Sequence, residues 1–283
     1  MFRFLCLLAL LRALPAYAEV TYLGSYDWRV SDQLFGGFSA IEVTADGMAF
    51  VALTDRSSIA RGTFIREGDA ITGIELDILR RLLGPTRAPL ADDLNDSEGL
   101  AIGPDGTLYI SFEGEDGVRS FADVDRPGSE LISARDFDAF QPNAGLEALA
   151  IGPDGALYAM PERSGLATRP FPVFKLKDGV WDQPFDITRA GHFLPVGADV
   201  GPDGRLYVLE RDFTGIGFRS RIRRFDLDGR KEETILETGL RTHDNLEGIS
   251  VWQDAQGLRI TLISDDNFRM FQRTEIVEYR LTE

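Results

Sequence analysis

Apolar residues along this chain fall in short alternating or continuous runs, and each run stops at glycine, proline or aspartate. In residues 145–163, GLEALAIGPDGALYAMPER, two such runs flank a Pro-Asp-Gly turn, with Glu147 near one end and Glu162 near the other. Proline fixes φ and glycine accepts φ > 0, so the stretch predicts two short β-strands joined by a tight turn. The pattern recurs as GPDGTLY (103–109), GPDGALY (152–158) and GPDGRLY (201–207), 49 residues apart each time, with weaker copies TADGMAF (44–50) and DAQGLRI (254–260). A repeat of this length is the mark of a solenoid, propeller or array.

Each repeat divides into four short strands. Two flank the turn, as in ALAIGP (148–153) and ALYAMPE (156–162). A third is amphipathic, as in PVFKLKDG (172–179), and a fourth is more polar, as in QPFDITRA (183–190). In the last repeat the third strand is EIVEYRLT (275–282) and the fourth comes from the other end of the chain, VTYLGSYDW (20–28). The prediction is therefore an all-β fold: a β-propeller of five four-stranded blades, one of them closed by N- and C-terminal strands so that no edge is left exposed. The longer 39–98 interval leaves room for a sixth blade. WD and kelch signatures are absent.

In a propeller blade the first strand lines the central channel and successive strands run antiparallel. The Pro-Asp-Gly turns then lie on one face, and the start of strand one and the end of strand two on the other. Glu147 with Glu162 and Glu98 with Glu113, each 15 residues apart, should share that second rim. Glu247 with Asp265 and Asp266 repeats the arrangement. Blade one offers Asp55 opposite Ser39, and blade four Glu210 opposite Val196. About nine carboxylates are thus expected at one channel mouth.

Composition fits a single large core: 283 residues, 43% of them hydrophobic. The segment MFRFLCLLALLRALPAYA (1–18) stands apart. Arg3, an apolar run and Ala16-Tyr17-Ala18 read as a secretory signal peptide cleaved after Ala18, the alternative being an uncleaved anchor. The single cysteine, Cys6, lies within it, so the remainder has no disulfide, and a periplasmic or secreted location is expected. Without Arg3 and Arg12 the chain holds 28 basic and 46 acidic residues, a net charge of −18. A field of that sign repels nucleic acid and anionic lipid and suits a cation. A monomer acting on a small molecule, with no nucleic acid or membrane partner, is the expectation.

Clustered carboxylates resist ionising together, and protons, neighbouring cations or a metal relieve them. A hard ion, calcium foremost, suits Glu98, Glu113, Glu147, Glu162, Glu210, Glu247, Asp265 and Asp266, with Asn95, Asn143, Asn245 and Asn267 beside them. Thiols are missing, and the only imidazoles are His192 and His243, both in loops assigned to this face, so a His-rich zinc site is disfavoured. Alternatively the glutamates only seal the rim by hydrogen bonding between blades. Arg56, Arg163 and Arg211, each directly after an acid, are candidates either to grip an anionic substrate or to form ion pairs between blades. There is no G-x-S-x-G elbow, no S-x-x-K and no phosphate loop. His243-Asp244 is too little for a triad. Hydrolysis here would rest on water activated at a metal rather than on a serine.

The segments FGGFSAIEV (35–43), ALTDR (52–56), NDSEGLAIGPDGTLYISFE (95–113), NAGLEALAIGPDGALYAMPE (143–162), LYVLER (206–211), NLEGISV (245–251) and ISDDNFRMFQRTEIVEY (263–279) together resemble the phytase-like domain family, over about residues 20–282. The resemblance implies a secreted β-propeller with esterase-like or phosphoesterase-like activity and calcium at an acidic channel mouth. The chain departs from the family at Ala144, where N-R-G-L-E has arginine, and in its scarce lysines, which points away from phytate itself.

The first reading is a metal-dependent ester or phosphoester hydrolase, with Glu98, Glu147 and Glu247 at the chemistry and Arg56, Arg163 and Arg211 steadying developing charge. A lactonase is a variant of it. The second reading is a non-catalytic binding module riveted by an ion, which a channel plugged by Phe35, Phe38 and Phe268 would favour.

Overall fold

Strands form where the sequence alternates or runs apolar, and the blades follow in order. A computed structural model describes residues 19–90, 96–114, 116–134, 137 and 145–283. The leader 1–18, Asn95, Asn143 and Ala144 lie outside the described residues. Among the described residues there is no α-helix.

Strand β1 (Glu19–Asp27) precedes blade one, which holds β2 (Phe38–Val43), β3 (Ala49–Thr54), β4 (Ser58–Glu67) and β5 (Ala70–Arg81). Blade two holds β6 (Ser97–Ile102), β7 (Leu108–Phe112) and β8 (Gly117–Phe121). Blade three is β9 (Leu146–Ile151), β10 (Leu157–Pro161), β11 (Phe171–Lys177) and β12 (Val180–Ile187). Blade four is β13 (Leu194–Val200), β14 (Leu206–Phe213), β15 (Phe218–Phe225) and β16 (Glu233–Glu237). Blade five is β17 (Asn245–Asp254), β18 (Gly257–Asp265) and β19 (Glu275–Thr282), completed by β1 in register from Glu19↔Thr282 to Asp27↔Glu275.

Five blades are present, as the repeats predict. The long 39–98 interval holds no further sheet among the described residues; β4 and β5, 10 and 12 residues long, take up much of its length. Of the expected fourth strand of blade two (129–137), the described residues 129–134 make a short backbone contact and no named strand. Ser129 N donates to Ser120 O, and Val118 and Ile132 exchange both bonds.

The core is divided among five apolar clusters, one between each pair of successive blades. Leu53 and Ile59 meet Leu100 and Ile110 between blades one and two, and Val118 meets Leu146 and Phe174 between two and three. Met160 meets Val208, Leu209 meets Ile249 and Leu262, and Phe38 and Phe50 meet Ile263 at the remaining three. Each fully buried Leu, Ile or Phe contributes about 2 kcal/mol of transfer free energy. No blade can bury both of its faces alone. Phe35 and Phe38 pack on Trp28 in the last of these interfaces, at ring separations of 4.9 and 5.1 Å, so these two side chains do not plug the channel.

The turns that drew the eye in the sequence sit on the face away from the acids. In each, the aspartate caps its own turn: Asp105 Oδ1 accepts from Thr107 N, Asp154 Oδ1 from Ala156 N and Asp203 Oδ1 from Arg205 N. Gly155 has φ = 77°, which explains the glycine.

Candidate active site

Pairing fixes which residues reach the rim. Phe38 opposes Thr54, Ser97 opposes Phe112, Leu146 opposes Pro161, Pro195 opposes Glu210 and Leu246 opposes Ser264. The next residue on each inner strand is Ser39, Glu98, Glu147, Val196 and Glu247, and the next on each second strand is Asp55, Glu113, Glu162, Arg211 and Asp265. The rim thus repeats one position five times around the ring, with four acids and a single arginine in the outer set.

That arginine corrects the expectation for Glu210. The 49-residue period that links Glu113 to Glu162 leads to Arg211, not to Glu210. The one-residue difference turns Glu210 to the opposite face of its strand. There it is 0% exposed, bonded to Nε of Arg221 (2.6 Å) and to Nε (2.9 Å) and NH2 of Arg223. Its lone pairs are taken inside blade four, so it holds no ion at the rim.

Arg211 divides the rim into two sectors. In the paired sector its NH2 donates to Glu162 Oε1 (2.8 Å), and its NH1 donates to Asn245 Oδ1 (3.0 Å) and to Glu247 Oε1. Asn245 Nδ2 returns a bond to Glu247 Oε1 (2.8 Å) and one to Asp265 Oδ2 (3.4 Å). Arg163 Nε donates to Glu162 Oε2 (2.9 Å). These charges raise the Arg211 pKa against the opposing effect of burial.

The other sector, spanning blades one to three, holds Asp55, Asp96, Glu98, Glu113 and Glu147. No ion pair neutralises them among the described residues; the Arg56 charge acts to lower the Asp55 pKa, and its guanidinium lies 3.6 Å from the Phe268 ring centre. Oxygens of Asp96, Glu98 and Glu113 fall within 4.8 Å of one another. Asp96 is bonded to Glu98, and Glu113 Oε1 accepts from Gly145 N (3.1 Å). Asp55 Oδ1 is buried without a hydrogen-bond partner.

Burial pushes every one of these acids up, and repulsion from neighbouring carboxylates adds to it at Glu98, Glu113, Glu147 and Glu247. Glu98 and Glu147 lie well above the usual carboxylate range, and Asp96, Glu113 and Glu247 are raised. Asp55 reaches about 7, chiefly through burial and then Asp265; Asp265 reaches about 8, through burial and then Glu247. An orphaned oxygen beside three convergent carboxylates is a donor set that fits a hard divalent cation.

Asp266 and Asn267 stand at the edge of this cluster. Asp266 Oδ1 accepts from Gly37 N and Phe268 N, and its Oδ2 from Thr274 Oγ1, so this carboxylate ties loops together. Asn267 N donates to Asp265 Oδ1 (2.6 Å), and its side chain is exposed. Sequence reasoning passed over Asp96 and Asp116. Asp96 carried a signal, since it shares a strand face with Glu98 two residues on. Asp116, raised to about 6 by burial, follows no repeat.

Beside the paired sector a cleft of about 1230 Å³ opens between blades four and five, with Glu162, Arg211 and Asn245 at its floor. Both histidines line it, as placed from the sequence. His243 Nε2 is bonded to Tyr279 Oη, and its Nδ1 lies 3.7 Å from Glu275.

A family model described as phytase-like, "esterase-like activity of phytase", matches residues 33–268. No curated protein matches the chain. Among solved structures, the PQQ-bound aldose sugar dehydrogenase of Streptomyces coelicolor is 12% identical over 95% of this chain and all of its own, with a TM-score of 0.51. A gluconolactonase of Xanthomonas campestris is 16% identical over 83% of this chain and 69% of its own, with a TM-score of 0.43.

Proposed function

The chain belongs to the phytase-like family, and from that premise we propose that it is a divalent-cation-dependent ester hydrolase working at the unpaired sector of the rim. One observation carries the reading. Asp96, Glu98 and Glu113 bring oxygens within 4.8 Å of one another, and Asp55, whose Oδ1 is buried without a hydrogen-bond partner, is within electrostatic reach of Asp96. Those four carboxylates are the residues that would hold the ion, and calcium is the cation their all-oxygen chemistry favours. What the ion supplies when bound is acidification of a water and polarisation of an ester oxygen.

The protein's own groups do the rest. Glu147 lies at the start of the inner strand of blade three, its carboxyl raised by burial and then by Glu162, and it is the group assigned to take a proton from water. Arg211, always charged, faces the developing oxyanion from the other side. Glu162, Glu247 and Asn245 fix the arginine's position so that little reorganisation accompanies the reaction. Arg163 sits at the cleft edge.

The test is calorimetric titration of calcium into chelated protein, together with p-nitrophenyl acyl esters, p-nitrophenyl phosphate and a lactone assayed with and without the ion. Glu98→Gln should abolish calcium binding. Glu147→Gln should retain binding and lose turnover by roughly a hundredfold or more, as removal of a general base does. Calcium binding with no turnover on any ester would instead support the second reading, an ion-riveted binding module. The engagement of Arg211 by Glu162 and Glu247 favours that reading, since it occupies the arginine of the rim.

A further inference from the structure

The cleft between blades four and five has a sign opposite to the rest of the molecule. On a chain with a formal charge of −16, its walls carry Arg163, Arg211, Arg219, Arg241, Arg269 and Arg273 against three acids, Glu162, Asp212 and Asp244. All three acids are occupied. Glu162 holds Arg163 and Arg211, and Asp212 holds Arg219. Asp244 accepts from the backbone of Asn245 and Arg273 and from Gln272 Nε2.

Two cations are left over. Arg241 and Arg269 have no carboxylate partner among the described residues, and both are held by their backbones. Arg241 N donates to Phe218 O (2.9 Å) from a left-handed residue (φ = 62°), and Arg269 N donates to Asp266 O (2.8 Å). Large apolar side chains surround them with no cover: Phe271 is 81% exposed, Ile216 68% and Phe213 61%. Phe213 is braced against Phe218 at 4.9 Å between ring centres, so the apolar wall is shaped rather than loose. A surface that leaves Arg241 and Arg269 without a carboxylate and Phe213, Ile216 and Phe271 largely exposed in one concavity, with the Arg269 guanidinium 6.0 Å from the Phe271 ring centre, suits a ligand carrying both a negative group and an apolar body.

We propose that this cleft binds an amphipathic organic anion: one negative group held by Arg241 and Arg269, and an aryl or medium-length acyl body laid against Phe213, Ile216 and Phe271. The inference rests on the hydrolase reading for its catalytic meaning. Glu162, Arg211 and Asn245 belong both to the rim and to the cleft floor, so an ester seated here has its anionic end outward and its scissile end toward the carboxylates. A densely phosphorylated polyanion does not suit the site. It would place several charges against apolar walls and find only two free cations.

Calorimetry on the chelated full-length protein tests the ligand class without turnover, with octanoate, 1-octanol, inorganic phosphate and inositol hexakisphosphate as probes. Octanoate is expected to bind at least about tenfold more tightly than each of the other three. An Arg241→Gln/Arg269→Gln double variant should weaken octanoate roughly tenfold and leave octanol unchanged. Ile216→Ser/Phe271→Ser should weaken both. All four side chains project from loops, and an unchanged melting temperature verifies that each variant folds. Glu147→Gln should bind octanoate as the wild type does, so failure at the rim and failure of the cleft are told apart. Tighter binding of phosphate or the hexakisphosphate than of octanoate, or octanoate affinity indifferent to both double variants, overturns the proposal.

Discussion

Arg211 is the residue on which the rim turns. It stands one full repeat after Glu162, where two earlier blades place glutamate, and it converts a ring of repelling acids into a paired half and an unpaired half. Removing it would leave mostly buried Glu247 without a cation and Glu162 with Arg163 alone. Arg211→Ala should therefore lower unfolding free energy by about 3 kcal/mol in chelated protein, measured by urea denaturation, because the partners of a broken buried pair keep their desolvation penalty. Arg211→Lys should recover only part of it, since one ammonium cannot reproduce the forked contacts to Glu162, Asn245 and Glu247. The acids of this rim were legible in the sequence because the alternation of a strand is strict. Arg211 was legible as a cation but not as the centre. The Glu-Arg pairs at 162–163 and 210–211 look alike and suggest a register that is wrong by one residue, and one residue is a change of face.

At the scale of the element, blade four shows what that change of face produces. Glu210 lies inside its sheet between Arg221 and Arg223, and Arg223 continues to Glu232 (2.7 Å). Glu210→Gln should destabilise the protein by about 3 kcal/mol, by taking from buried Arg221 its carboxylate partner and from buried Arg223 one of its two. Glu210→Gln should leave calcium affinity as it was, and a loss of calcium binding in a folded variant would return Glu210 to the ion site. The hairpins themselves could be read in advance, because Pro-Asp-Gly specifies a turn through local chemistry. The fourth strand of blade two could not. A polar outer strand is anchored on one side only, and whether 129–132 pairs fully or by a few bonds depends on its neighbours. The loops that wall the cleft, 213–218 and 266–273, follow no period at all, so Phe213, Ile216, Arg269 and Phe271 carried no sequence signal of belonging together.

For the whole molecule, the raised acids make stability depend on pH in a definite direction. An acid whose folded pKa exceeds its unfolded value destabilises the fold once pH passes the unfolded value, and the penalty is complete above the folded one. Asp55 and Asp265 move from 3.8 to about 7 and about 8, so chelated protein should lose melting temperature steadily from about pH 4 to about pH 8. Saturating calcium should flatten that slope by supplying the missing positive charge. Acids with lowered pKa, such as Asp69 and Glu278 on their arginine partners, act below this window, where acidification removes their contribution. A chelated protein whose stability is flat between pH 5 and 8 would mean the unpaired acids are relieved by some other route.

Blade five has a consequence in time as well as in space. Its outermost strand, β1, is made before any other strand of the ring, and its partner β19 is the last. Thr282 Oγ1 donates to Glu19 O across a sequence separation of 263. A growing chain can assemble blades one to four from local hairpins as they emerge, but β1 must wait unpaired through the whole of synthesis. Closure is thus a single late event of long sequence reach, which slows folding in proportion to that reach. The rim is not complete until then: Glu247 and Asp265 are contributed by the blade that closes, so the blade-five partners of Arg211 arrive together with the finished ring.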